Sequence, residues 1–298
     1  MRIEGFYTAL VSPLKVDGKG IDCDTLKQLI ARQIEAGVHG LILGGSTGEG
    51  QTLEWAELEE LLKVGLSFKG KIQIWGACSF SGTAQTSERY QMISKLGVDG
   101  VLISSPAYNK PPQRGLIKHF EEIAKAASTP MMIYNIPGRT AVDIRPDTLA
   151  EISRIPQVVA IKESSGKLEQ IKEVASKIAA QKVLLCGDDP LSLDVWKMGA
   201  KGTVSVLSNL LPKACVNLWK LWSAGNFNDA EALQKQLTKM TDLVFVESNP
   251  IPVKYAVGLL LKKNLKLRLP LVELDTKYHQ GIRQELEVMA NLGFCERL

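Results

Sequence analysis

The chain has 298 residues, 45% of them hydrophobic and 23% charged, and a net charge of +4, which fits a soluble globular protein of one large or two modest domains. No apolar run reaches membrane-spanning length and no secretory signal opens the chain, so a membrane role is excluded and a cytoplasmic location is expected. Five scattered cysteines (Cys23, Cys78, Cys186, Cys215, Cys295) and three histidines (His39, His119, His279), none at ligand spacing, argue against a disulfide framework and a metal site.

In chain order, Tyr7 to Val11 reads as a strand ended by Ser12-Pro13, and Asp24 as the N-cap of a helix with Leu26, Leu29, Ile30 and Ile34 on one face, stopped by Gly37. Gly40 to Gly44 is a second strand, and Leu58, Leu61, Leu62 and Leu66 mark the next helix. The alternation continues with strands at Ile72 to Ala77, Gly100 to Ile103, Met131 to Tyr134, Val158 to Lys162, Val183 to Cys186 and Gly202 to Val206. Eight strand–helix units at intervals of roughly 20–35 residues predict a (β/α)8 TIM barrel rather than an open doubly wound sheet. The barrel is expected over residues 1–224. Residues 225–298 are expected to be a helical extension, in which Asn249-Pro250-Ile251-Pro252 turns into a helix start. The basic cluster Lys262, Lys263, Lys266 and Arg268 reads as a solvated edge, since no aromatics interleave with it; nucleic acid is not an expected partner.

Chemistry in such a barrel gathers at the C-terminal ends of the strands. Ser46 and Thr47 follow the second strand, Tyr108 and Asn109 the fourth, Tyr134 and Arg139 the fifth, and Gly187, Asp188 and Asp189 the seventh. The sixth strand, Val158-Val159-Ala160-Ile161-Lys162, is apolar and finishes on an amine. Lys162 shares a face with Ala160 and Val158. An amine above an apolar column loses hydration, which favours its neutral, nucleophilic form and suits Schiff-base chemistry on a carbonyl. A lysine snorkelling into water is the competing reading. Alternation places Glu163 on the other face, away from the amine.

Tyr134 is then the nearest proton donor by strand order, with hydroxyls from Ser46 and Tyr108 to complete a relay. Arg139 offers a planar fork to a carboxylate, and the Gly44 to Gly48 turn with the Thr47 hydroxyl offers a cradle for a second one. The turn is no phosphate loop, because Glu49 stands where a lysine is needed. It matches G-x-S-x-G, but a hydrolase would leave Lys162 without a purpose, and His279 lies in the helical extension.

The stretches Gly45-Ser46-Thr47-Gly48-Glu49, Ser105 to Pro111, Tyr134-Asn135-Ile136-Pro137-Gly138-Arg139-Thr140, Ile161-Lys162-Glu163, Gly187-Asp188-Asp189 and Asn249 to Lys254 together resemble dihydrodipicolinate synthase, of the pyruvate-dependent class I aldolase superfamily. The resemblance runs over essentially the whole chain. It implies a lyase of lysine and diaminopimelate biosynthesis that condenses pyruvate, as a Schiff base on Lys162, with aspartate 4-semialdehyde and needs no cofactor. Tyr134, Ser46 and Tyr108 would carry protons, Thr47 and the main chain at Val204 would hold pyruvate, and Arg139 the semialdehyde. It also implies a homotetramer in which Tyr108 reaches into a neighbour's site. An aldolase for a sugar-derived 2-keto acid is the alternative, and Arg139 speaks against it. Two departures stand out: Ser46 replaces the usual threonine, and Trp55, Gln85 and Ala107 occupy positions matching the feedback pocket of lysine-inhibited relatives, which predicts weak or absent inhibition by lysine.

Overall fold

The structure, a computed structural model, describes residues 2–298. Eight parallel strands run in chain order and close a barrel: β1 (Gly5–Ala9), β2 (Gly40–Leu43), β3 (Gln73–Cys78), β4 (Gly100–Ser104), β5 (Met131–Asn135), β6 (Val158–Glu163), β7 (Val183–Cys186) and β8 (Gly202–Ser205). The strands are buried almost throughout, as expected of parallel strands whose faces are covered by side chains within and helices without. The first strand, Gly5–Ala9, lies two residues earlier than its apolar run suggests, and Leu10 N–H still donates to Ile42 O just past its end. No helix among the described residues is long and apolar enough to cross a membrane.

Two compact units can be described separately. One holds Gln73–Val204 with the N-terminal residues up to Gly5. Its strands pair β3 to β8 in sequence, with Tyr134 opposite Lys162 and Asn135 opposite Glu163 between β5 and β6. The helices between them are amphipathic: Gln113–Ala124 buries Leu116, His119, Phe120 and Ile123, the spacing of a single stripe.

The other unit holds Phe6–Ile72 and Ser205–Leu298. Here β1 pairs with β2, and the helix Cys23–Ala36 packs outside. Its N-cap is Asp22 rather than Asp24: Asp22 accepts from Thr25 N–H at 3.0 Å and Thr25 Oγ1 at 2.6 Å, which leaves Asp24 in the first turn. Gly37 ends the helix in the left-handed region, φ 80°, where glycine carries no Cβ penalty. A buried polar network joins Thr8, Gln33 and Ser208, and Asn209 clamps β1 by accepting from Val11 N–H and donating to Ala9 O. The helices Pro212–Ser223, Phe227–Leu243, Ile251–Leu261 and His279–Asn291 follow.

The C-terminal region is not helical throughout. Residues 263–275 run without a helix, and the expected solvated edge there is partly structural. Arg268 is only 23% exposed at its side chain and forms a two-pronged ion pair with Glu57, at 2.8 and 2.7 Å, while also donating to Thr52 O and Gly18 O. The guanidinium holds the Glu57 carboxyl down at about 2. Composition alone does not reveal such a partner 211 residues away in sequence.

Candidate active site

In the unit containing β3 to β8, Lys162 and Tyr134 are registered neighbours on adjacent strands. Both are buried, at 5% and 7% exposure, and the Lys162 Nζ lies 3.9 Å from the centroid of the Tyr134 ring. Snorkelling is thereby excluded: the amine stays inside, over an aromatic face. Gly187, just past β7, makes room for it. A Cβ there would fall 2.9 Å from Lys162 Cε and 1.9 Å from Ser164 Oγ, so any larger residue would drive the lysine out of place. Asp188 follows. Burial pushes its carboxyl up to about 6, and the charge of Lys162 pulls in the opposite direction, so the aspartate lies within the electrostatic reach of the amine.

Glu163 takes no part in this cluster. Its carboxylate accepts from Ser165 N–H at 2.7 Å and from Asn135 Nδ2 at 3.0 and 3.1 Å, on the opposite face of β6. Burial raises it to about 7 against those bonds, and Asp143 adds to the rise. Between about pH 4.5 and 7 the folded chain therefore holds a proton that the unfolded chain has released, and stability falls as pH rises through that window. The expected loss between pH 5 and 8 is about 2–3 kcal/mol. Urea unfolding of wild type and Glu163→Gln at both pH values checks this. The variant should gain on wild type by about that amount at pH 8, and a difference independent of pH would contradict it.

Arg139 is carried on the short helix Pro137–Thr140, immediately after β5, and is exposed. Thr140 pins that turn: its one hydroxyl proton is shared between Ile136 O and Val142 O, and its Oγ1 accepts from Val142 N–H and Ser105 Oγ. Val204 is fully buried in β8, one residue past Thr203, whose hydroxyl is committed to Trp196 and Ser192. Alternation turns Val204 to the other face. Tyr108 is not brought to Tyr134: it is 91% exposed at the tip of the loop after β4, with φ 73°. A tyrosine in the left-handed region costs of order 1–3 kcal/mol and persists only where neighbours hold it. Here Asn109 Nδ2 donates to Ser81 O, and Ser81 Oγ to Ala107 O.

In the other unit, the turn after β2 holds Ser46, part-exposed, and Thr47, buried. Its backbone bonds run Glu49 N–H to Ser46 O and Gly50 N–H to Gly45 O, and a Cβ on Gly50 would strike Gly44 O at 1.7 Å. A single 3-10 turn, Gly50–Thr52, precedes the helix Trp55–Leu66, so no long helix starts on the serine as a hydrolase elbow requires. His279 accordingly stacks on Tyr255 and pairs with Leu274 O. Asn249 donates to Thr47 Oγ1 at 2.9 Å, which leaves the threonine O–H to donate elsewhere. Beneath the turn, Glu49 forms a fully buried ion pair with Lys254 and accepts from Arg268 N–H at 3.0 Å. Burial pulls the Lys254 ammonium below its ordinary value, and Glu49 opposes that.

Sequence reasoning did not single out Asn249, Ser164 or the Glu49–Lys254 pair as site residues. Signals were there: Asn249, Glu49 and Lys254 lie in quoted motifs, and Ser164 is two residues beyond Lys162 on the same face.

The description of the Dihydrodipicolinate synthetase family fits residues 2–289 of the chain. A 4-hydroxy-tetrahydrodipicolinate synthase of Leptospira biflexa is 39% identical over 273 residues, 91% of this chain and 92% of that protein. One from Magnetococcus marinus is 35% identical over a similar span, 91% and 93% of the two chains. Among solved structures, a dihydrodipicolinate synthase from Thermotoga maritima superposes with a TM-score of 0.94 at 33% identity, covering 97% of this chain and 99% of the other. Another, from Aquifex aeolicus, gives 0.92 at 32% identity, covering 98% and 99%. With an eight-stranded barrel, a lysine buried at the end of β6 and likeness over nearly its full length, the chain belongs to the dihydrodipicolinate synthetase family.

Proposed function

We propose that the chain condenses pyruvate with L-aspartate 4-semialdehyde to 4-hydroxy-tetrahydrodipicolinate, in the cytoplasm, through a Schiff base on Lys162. The observation that carries the reading is the buried Lys162 amine stacked over Tyr134, opposite it across the β5–β6 ladder. The amine attacks the C2 carbonyl of pyruvate, and the carbinolamine oxygen leaves as water once it is protonated. Loss of a C3 proton gives the enamine. Its C3 attacks the aldehyde carbon, and the amine of the semialdehyde then closes the ring and releases Lys162. Tyr134 is the group placed to deliver and retrieve protons beside Lys162. Thr47, oriented by Asn249, and the main chain near Val204 bind the pyruvate carboxylate, and Arg139 on its pinned turn takes that of the semialdehyde. Gly187 leaves the lysine the space to swing through these intermediates.

The exposed, held Tyr108 supports a second proposal within this reading: the working unit is at least a dimer, with homotetramer as the full assembly, and Tyr108 completes a neighbour's relay with Ser46 and Tyr134. Among the solved relatives, one is described as a monomeric variant.

Tyr134→Phe tests the roles. It should lower kcat with aspartate semialdehyde by about 10²–10⁴-fold, while the variant still forms a borohydride-reducible adduct with pyruvate on prolonged incubation. Turnover within a few-fold of wild type would remove Tyr134 from the mechanism. Turnover of a sugar-derived 2-keto acid in preference to the semialdehyde would replace the substrate assignment.

A further inference from the structure

Two residues past Lys162 stands a hydroxyl with nothing to do in the resting fold. Ser164 is 9% exposed, and its Oγ is buried without a hydrogen-bond partner. A buried hydroxyl left unmatched opposes folding, so its presence needs an explanation. The next residue shows the contrast. Ser165 is structural: its N–H donates to Glu163 and its Oγ accepts from Lys167 N–H.

The direction of Ser164 follows from two observations. Residues i and i+2 of an extended chain share a face, so Ser164 points with Lys162, and Glu163 and Ser165 point away. Gly187 confirms the convergence: the space its Cβ would fill is bounded by Ser164 Oγ at 1.9 Å and Lys162 Cε at 2.9 Å. The hydroxyl therefore lies beside the lysine stem, one step nearer the mouth at the C-terminal strand ends. On the Schiff-base reading, pyruvate held on Lys162 would lie below this hydroxyl, and a second reactant entering at the strand ends would pass it.

We propose that the Ser164 hydroxyl is a further catalytic residue, which donates a hydrogen bond to the aldehyde oxygen of the second substrate as the carbon–carbon bond forms. This rests on the Schiff-base reading above. In that step the enamine C3 bonds to the aldehyde carbon, the nitrogen lone pair becomes the iminium π bond, and the carbonyl π pair moves onto oxygen. That oxygen takes its proton from Tyr134. Ser164 keeps its own proton and stabilises the charge while it develops, as a preorganised donor in a buried site does. The unmatched hydroxyl is thus satisfied only when the second substrate is present, which makes its interaction one that favours the transition state over the resting enzyme.

Ser164→Ala tests this with three readouts. The rate at which borohydride traps pyruvate on the enzyme should be unchanged, because the first half-reaction does not use the hydroxyl. The kcat with aspartate semialdehyde should fall by about 10²-fold. The thermal midpoint should be unchanged or raised, because the variant removes an unmatched buried hydroxyl. Turnover equal to wild type would overturn the proposal. So would a lowered thermal midpoint, or an equal fall in both half-reactions, since either would show that the hydroxyl supports the fold or the lysine instead. Failure of the wild-type enzyme to form any pyruvate adduct would overturn the Schiff-base reading itself, and this proposal with it.

Discussion

Lys254→Ala is expected to destabilise the protein by about 3–5 kcal/mol, the largest effect on folding of any single change considered for this chain. Both members of the Glu49–Lys254 pair are at 0% side-chain exposure. Removing the ammonium leaves a carboxylate in a dry site, with Arg268 N–H at 3.0 Å as a remaining donor. The turn that carries Ser46 and Thr47 ends on this glutamate, at φ 53°. Loss of the pair should therefore loosen this turn, proposed to hold pyruvate, as well as the fold. The thermal midpoint should drop by roughly 5–15 °C. The double variant Glu49→Gln with Lys254→Met should recover most of that, because replacing both partners removes the uncompensated charge. A single variant no less stable than the double one would contradict this account of the pair.

Lys162→Ala is expected to abolish turnover, by at least about a thousandfold, with little change in stability. Among the described residues, Lys162 supplies the amine over Tyr134 on which the Schiff base forms. The stability side follows from the site itself: the variant shortens a buried side chain but removes an amine whose burial is costly, and the two effects offset. This separates Lys162 from Lys254. Both are buried lysines, one poised for chemistry and one bound to a carboxylate, and only the second should unfold the protein when removed.

The strands were readable because parallel strands buried on both faces show as β-branched runs such as Val158 to Ile161, and their even spacing leaves few architectures. The period of two told more than the runs did. It sent Lys162 inward and Glu163 outward, and Glu163 indeed bonds to Asn135 and Ser165. The same period applied one step further points Ser164 inward, which only its unmatched Oγ makes noticeable. Partnerships between distant residues were not readable. Arg268 looked like one more surface cation, yet Glu57 lies far off in sequence and close in space. Lys254 within Ile251–Leu261 gave a hint, a lone charge in an otherwise apolar helix, but not the identity of its partner. The helix cap expected from the sequence, Asp24, is misplaced by two residues: Thr25, bonded through both its N–H and its Oγ1, shows that Asp22 is the cap.

Lysine also explains how the two halves of the chemistry stay ordered. Pyruvate must be covalently held before the second carbonyl has an enamine to meet, and the groups proposed for that second substrate, Arg139 and Ser164, follow the ends of β5 and β6, whereas Lys162 lies within β6. The central claim is therefore the covalent link itself. The most direct measurement is borohydride reduction of the enzyme with pyruvate, followed by mass spectrometry of the digested protein. The account predicts one reduced pyruvate on the peptide containing Lys162, loss of activity in step with labelling, and no label in Lys162→Ala. An unlabelled enzyme, or a label on a different lysine, would contradict it.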